Sequence, residues 1–427
     1  MGKVYFIDVT NRDGVQTSRI NLAKLQKTMI NIYLAEMGVH QSEFGFPFIW
    51  HERNYIEANI DLKKKGAMGD MILEGWVRAI VQDVKGAFKT RVRHLNLSIS
   101  TSNQMIRRKF KGKISKEGVL EKMAEAVQTA KDGGIETVGV NAEDASRTEM
   151  DYLVKFGLAA TERGANRLRY CDTIGKESPY SIYRRVKNLA EEIGIDIELH
   201  CHNDLGMAVA NSIAGARGAI DAGVNAFINT TVNGIGERAG QADLLSCILA
   251  LKYAEGIEGN LEIGDELNLK VAWKLSHYVA DSFGVPLPIN QPGVGANAFA
   301  HESGIHADGA LKDRENYELF DYTLLGREEE MCEPTGRIIT TGEYGGMAGF
   351  KHVYKKLGIE FTDDDQAMVI LNLVQAANAH TQRPLTDDEL RFIALYPEET
   401  KALLTVNVLK PEEYILTYSG LRWSNLR

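Results

Sequence analysis

The chain has 427 residues, 44% of them apolar and 25% charged, which suits one or two well-packed domains and excludes disorder. Its 49 Lys and Arg against 58 Asp and Glu leave a formal charge of -9 with no long basic run, which argues against a nucleic-acid partner. Small anionic substrates would then have to be met by local cations.

Four cysteines, Cys171, Cys201, Cys247 and Cys332, stand too far apart for a disulfide framework or a thiolate zinc site. A reducing cytoplasm fits them best. The opening segment, MGKVYFIDVT, enters a strand-like run without the marks of a signal peptide, and no apolar run approaches the roughly 20 residues of a membrane span, so no membrane partner is expected.

Short β-branched or apolar runs alternate with longer amphipathic ones as far as Glu255. In chain order the strands expected are Val4–Val9, Gln41–Phe44, Met71–Leu73, His94–Ile99, Thr137–Val140, Leu168–Cys171, Ile197–Cys201 and Ala226–Thr230. Helical patterns over Leu22–Met37, Lys116–Lys131, Tyr180–Ile193 and Met207–Ala222 fall between them, the last ending at Gly223. Eight βα units over about 250 residues predict an α/β fold, a (β/α)8 TIM barrel. The competing doubly wound sheet is disfavoured because no GxGxxG follows the first strand.

The barrel domain is expected over residues 1–285. Residues 286–427 follow as a glycine-rich linker, Pro286 to Gly349, and a mainly helical subdomain beside the barrel mouth. Its helices are announced by Thr362 with Asp363 and Asp365, and by Thr386 with Glu389.

In IELHCHNDLG, His200 and His202 sit two apart on a strand, so both point to one face while Cys201 points away. A buried histidine pair without a partner is costly, and metal ligation is the alternative to two surface histidines. The first strand ends in IDVTNRDGVQ, placing Asp8, Arg12 and Asp13 where TIM-barrel active sites are built. Asp13 reads equally as a metal ligand or as a turn aspartate before Gly14, and Arg12 could simply pair with a neighbouring acid. Polar residues recur at the other strand ends as well: Glu43, Arg78, Thr101, Glu143, Asp172, Thr173, Asn229 and Asn233. A mouth ringed in this way suits a metal and a polyanionic ligand.

The segments IDVTNRDGVQ, RYCDTIG, ELHCHNDLGMAVAN, TVNGIGERAGQADL and NAFAHESGIHADG, in this order, resemble the homocitrate synthase and isopropylmalate synthase family, the DRE-TIM metallolyase type. The resemblance extends to about Gly326 and is nearest to the Re-type, citrate-forming branch. It implies a metal-dependent acyltransferase joining the acetyl group of acetyl-CoA to a 2-oxo acid. It further implies Asp13, His200, His202 and Asn233 as ligands of Mn²⁺, Co²⁺ or Mg²⁺. Arg12 would steady the keto oxygen as it gains charge, and Glu143 and Thr173 would orient substrate and water. His306 would remove the acetyl proton, assisted by Tyr317, both reaching the active site of a neighbouring subunit. That implies a homodimer. Without the resemblance, His306 reads as a surface helix histidine.

Homocitrate synthases place an arginine for the distal carboxylate four residues before the counterpart of Glu143, where this chain has Gly139. Isopropylmalate synthases usually carry an HSGR-type segment, where this chain reads TTGEYGGMAGF around Tyr344. No leucine-binding regulatory domain is expected. Oxaloacetate is therefore the expected 2-oxo acid, with Arg78 the candidate for its second carboxylate and citrate the product. Homocitrate, isopropylmalate or citramalate formation are the alternatives, along with a hydroxymethylglutaryl-CoA-type lyase. A non-enzymatic binding module would leave Asp13, His200 and His202 without purpose.

Overall fold

The structure is a computed structural model that describes residues 2–257, 261–328, 340–343 and 345–405. Cys332 and Tyr344 lie outside the described residues. The strands are β1 (Lys3–Asp8), β2 (Gln41–Gly45), β3 (Ile72–Arg78), β4 (His94–Ser100), β5 (Thr137–Glu143), β6 (Arg167–Asp172), β7 (Asp196–Cys201) and β8 (Ala226–Thr230). All pair in parallel in chain order, and β1 pairs with both β8 and β2, closing the eight-stranded barrel. A two-residue strand, Glu262–Ile263, pairs outside it with the start of β1.

The helices are α1 (Lys24–Met37), α2 (Arg53–Lys64), α3 (Val81–Ala87), α4 (Asn103–Arg108), α5 (Lys116–Asp132), α6 (Met150–Glu162), α7 (Pro179–Ile193), α8 (Ala208–Asp221), α9 (Leu244–Tyr253) and α10 (Ala272–Phe283). Beyond the barrel follow α11 (Gly304–Lys312), α12 (Met347–Lys356), α13 (Asp364–Thr381), α14 (Asp387–Leu395) and α15 (Pro397–Leu404). Local chemistry sets their ends. Ser178 caps α7 ahead of Pro179, and Gly223, at φ 90°, turns the chain out of α8.

Strand alternation sorts side chains into two environments. In β7, Leu199 packs outward on Gly215 of α8, while Glu198 reaches across to Arg169 of β6 and Asn229 of β8. Glu43, Glu74, Arg167, Arg169 and Glu198 are all buried, so part of the barrel is filled by charge rather than by branched apolar residues. That is why β3 runs longer than its apolar signal, on to Arg78: Glu74 belongs to this charged layer.

Of the C-terminal helices, α13, α14 and α15 pack on the flank formed by α1, α2 and α10. Tyr278 of α10 donates to Glu389 of α14 at 2.6 Å, Tyr33 of α1 donates to Asp388 at 2.9 Å, and α15 packs on α2. The expected N-caps are both present: Asp363 accepts from the Gln366 amide, and Thr386 forms a capping box with Glu389.

Candidate active site and metal centre

Three successive amides, those of Arg12, Asp13 and Gly14, donate to the single carbonyl of Val9 at 3.1, 2.8 and 3.2 Å. This coils the chain tightly after β1 and holds Arg12 and Asp13 at the mouth, each 5% exposed. His200 ends up facing them from β7, and His202 from the residue just beyond that strand. The two rings lie 5.0 Å apart and nearly perpendicular. One candidate ligand atom from each of Asp13, His200 and His202 lies within 4.8 Å of the others, so the three groups read from distant segments do converge.

Burial holds His200 well below its ordinary pKa, reinforced by the nearby Arg12 cation, and burial lowers His202 too. Both imidazoles are therefore neutral and able to ligate. Asn229 fixes the tautomer of His200: its Nδ2 donates to Glu198 at 2.6 Å, so its Oδ1, 3.1 Å from His200 Nδ1, must accept from that nitrogen. The lone pair of His200 Nε2 is left for a ligand. His202 Nδ1 is buried without a partner. One carboxylate and two neutral imidazoles, one of them with an unsatisfied ring nitrogen, form a donor set that fits a divalent cation with open positions.

A buried path joins the ligands from below. From His200 it passes through Asn229 and Glu198 to Arg169, whose Nε donates to Glu198 at 2.6 Å. Arg169 also bonds Glu43, Glu43 bonds Arg12, and Arg12 Nη1 donates to Asp13 at 3.1 Å. Burial alone would raise the Glu43 pKa, but Arg12 and Arg169 together bring it below the usual carboxylate range. Arg12 is thus held at two nitrogens, while its Nη2 is buried without a partner. Glu43, Glu74 and Glu198 are a second set of carboxylates close enough to share a cation, but Arg12, Arg167 and Arg169 already supply their positive charge.

Asp13, Arg12, His200 and His202 line a cavity of about 700 Å³ together with Arg78, Asn141, Glu143 and Thr173. The carboxylate of Glu143 receives Lys109 Nζ at 2.6 and 2.8 Å and the hydroxyl of Ser100. Thr173 Oγ1 accepts the amide of Asp144 at 2.9 Å. Arg78 is at the rim with its guanidinium paired to Asp83 at 2.6 and 3.0 Å, so it is already engaged. A larger apolar groove of about 1040 Å³ on the outer face of α7 and α8 contains none of the predicted site residues.

Of the residues given a catalytic, substrate or metal role, Asn233, His306 and Tyr317 lie outside the cavity, as do the strand-end candidates Asp8, Glu43, Thr101, Asp172 and Asn229. Asn233, at φ 62°, turns its Nδ2 onto the Ser276 carbonyl at 2.8 Å, and its Oδ1 is buried without a partner. Gln241, which the sequence reading passed over, is the amide that touches Asp13: its Nε2 bonds Asp13 Oδ2, and its Oε1 has no partner. Gly236 makes room for it, since a Cβ there would lie 3.0 Å from Gln241 Nε2. The signal for Gln241 was present in GERAGQ, because a chain reversing at Gly240, φ 86°, brings the next side chain back toward the mouth. Lys109 was also missed, having no signal apart from its neighbours.

His306 of α11 stacks on Tyr317 with ring centroids 4.2 Å apart, an arrangement that needs Gly309 because any Cβ there would collide with the tyrosine ring. His301 and Glu318 make a second pair beside them at 3.3 Å. His306 is exposed, and Tyr317 is 40% exposed.

The family model described as HMGL-like matches residues 3–279, and the homocitrate synthase post-HMGL domain-like model matches residues 294–381. The chain is 55% identical to Citrate (Re)-synthase of Dehalococcoides mccartyi over 412 residues, 96% of this chain and 99% of that protein. It is 40% identical to 2-isopropylmalate synthase 2 of Caldanaerobacter subterraneus over 91% of this chain and 94% of that one. Among solved structures, an HMG-CoA lyase of Bacillus subtilis superposes with TM-score 0.54 at 18% identity, covering 67% of this chain and 96% of that one, a likeness of fold.

Proposed function

Because the chain belongs to the HMGL-like family and continues into the post-barrel region of homocitrate synthases, we propose that it is an acyltransferase condensing acetyl-CoA with oxaloacetate to give citrate and CoA. The observation that carries this reading is the convergence of Asp13, His200 and His202 at the strand ends, in a chain 55% identical to a Citrate (Re)-synthase. A divalent cation such as Mn²⁺, Co²⁺ or Mg²⁺ held there would polarise the keto group of a chelating 2-oxo acid. Gln241 is placed to add an amide oxygen after half a turn of its carboxamide, and on contact with Asp13 it replaces Asn233 as the fourth group.

Arg12 supplies the oxyanion contact. Glu43 and Asp13 fix its plane, and the free Nη2 proton meets charge developing on the former keto oxygen without reorganisation. His306, with Tyr317 stacked against it, removes the acetyl proton after insertion into a neighbouring subunit's mouth. In its own chain the pair lines no part of the cavity, and it is exposed as a group offered to a partner should be. The smallest active unit is then a homodimer. Glu143, oriented by Lys109 and Ser100, and Thr173, just past the end of the adjoining strand, position the water that cleaves the condensed thioester. That cleavage makes the step irreversible.

Gly139 supports the shorter keto acid. It offers no side chain to a distal carboxylate, and a Cβ there would lie 2.5 Å from Asn96 Nδ2, so an arginine would first have to push that amide aside. No described helix is long and apolar enough to cross a membrane, and three described cysteines are free and buried, which suits a reducing cytoplasm.

The test is thiol release from acetyl-CoA with oxaloacetate, 2-oxoglutarate, pyruvate or 3-methyl-2-oxobutanoate, with and without Mn²⁺. Oxaloacetate with Mn²⁺ should be preferred, and His202→Ala should lose both metal and turnover. Thiol release that ignores both metal and His202 would overturn the reading.

A further inference from the structure

The segment leaving β4 reads RRKFKGKISK, six cations within residues 107–116 and no acid, on a chain whose formal charge is -9. Two of the six are paired, Lys109 with Glu143 and Lys116 with Glu149, each at 2.6 Å. Arg107, Arg108, Lys111 and Lys113 are exposed and form no ion pair among the described residues. The chain holds them together through a turn in which Lys111 (φ 52°) and Gly112 (φ 68°) are both left-handed and the Lys113 amide returns to the Phe110 carbonyl at 2.9 Å. A side chain at Lys111 strains that conformation, and like charges kept adjacent repel.

The same segment forms one wall of the catalytic cavity. Met105, Phe110 and Ile114 line it, with Lys109 and Lys122, in the same cavity as Asp13 and His200. Polar donors at Asp13, His200 and His202 share the cavity with the half-buried apolar side chains of Met105, Phe110 and Ile114, and the exposed, unpaired cations adjoin those apolar residues in the chain. Coenzyme A carries matching parts: a thioester, a pantetheine arm, then a diphosphate and a 3′-phosphate bearing about four negative charges at neutral pH.

We propose that Arg107, Arg108, Lys111 and Lys113 bind the phosphates of the acyl-CoA, with Phe110 and Ile114 as the bed for its pantetheine arm. The inference rests on the acyl-CoA reading above and adds where the nucleotide end lies. Guanidinium groups suit phosphate through paired donors, and the lysines act as point charges. A net-negative protein needs such a strip to draw a polyanion to its mouth.

The experiment is calorimetric titration of the full-length, Mn²⁺-loaded protein with coenzyme A and with 3′-dephospho-coenzyme A, comparing wild type with an Arg107→Gln/Arg108→Gln/Lys113→Gln variant. All three side chains are exposed, and Lys109 is left in place because it bonds Glu143. The variant should bind coenzyme A at least tenfold more weakly, with a shallower salt dependence and a smaller penalty for the dephospho form, while its melting temperature and Mn²⁺ affinity match wild type. Coenzyme A affinity within twofold of wild type would overturn the inference alone, as would coenzyme A and Mn²⁺ affinities falling together. Failure of the wild-type protein to bind coenzyme A would instead remove the acyl-CoA reading, and this inference with it.

Discussion

The Asp13–His200–His202 cluster and the His306–Tyr317 pair use similar groups in opposite states. His200 is buried, neutral, and tied through Asn229 to a network reaching Asp13. His306 is exposed, with a stacked tyrosine and a neighbouring His301–Glu318 pair as its company. The first arrangement is over-determined by its surroundings. The second, on the function proposed above, would become a site only when another surface covers it. A rigid half and an open half suit a reaction that must admit a large thioester and then exclude water.

The sharpest way to break this contrast is complementation. Arg12→Ala and His306→Ala chains should each lose on the order of a hundredfold or more in kcat, as removal of an oxyanion donor or a general base does. Mixed and re-equilibrated, they should recover about a quarter of wild-type activity, because half the dimers are mixed and each of those holds one intact site of two. No recovery would mean that each chain uses its own His306.

A smaller effect separates the two halves by stability. Arg169→Met leaves Glu43 and Glu198 short of their shared cation inside the barrel and should cost about 3–5 kcal/mol in urea unfolding, whereas His306→Ala should stay within about 0.5 kcal/mol of wild type. Equal losses would remove the distinction.

The smallest concerns Glu74. Burial pushes its pKa from 4.5 up to about 8, with Arg167 and Arg169 opposing and Glu198 and Glu43 reinforcing the shift. The folded state therefore holds a proton that the unfolded chain gives up, and the stability this contributes is complete below about pH 4.5 and lost as pH rises toward 8. Unfolding free energy measured across that window should fall less steeply for Glu74→Gln than for wild type. Parallel curves would show that Glu74 is ionised throughout in the folded chain.

The sequence was most legible where one strand or turn decides the outcome. His200 and His202 share a face because they are two apart, and Asp13 follows the first strand directly, so the barrel alone brings them together. Legibility failed where a side chain's direction depends on a loop. Asn233 and Gln241 are both amides flanking the same glycine-rich turn, and only the left-handed φ of Asn233 and Gly240 decides which one faces Asp13. Arg78 could be placed at the rim but not recognised as engaged, since its Asp83 partner lies within the following helix. The interior polar layer escaped notice for another reason: Glu74 and Arg169 read as interruptions of an apolar strand until each is seen beside its partners across the barrel.

The contact between Gly139 and Asn96 has an evolutionary consequence. A single exchange that introduces an arginine at 139 would have to displace a neighbouring strand's amide, that of Asn96, before it could meet a substrate. A drift toward longer diacids would favour two linked replacements. A smaller residue at 96 would leave a void and a side chain at 139 would crowd the amide, so the two positions should change together more readily than singly. A preference for one keto acid would in this way be tied to how two neighbouring strands pack.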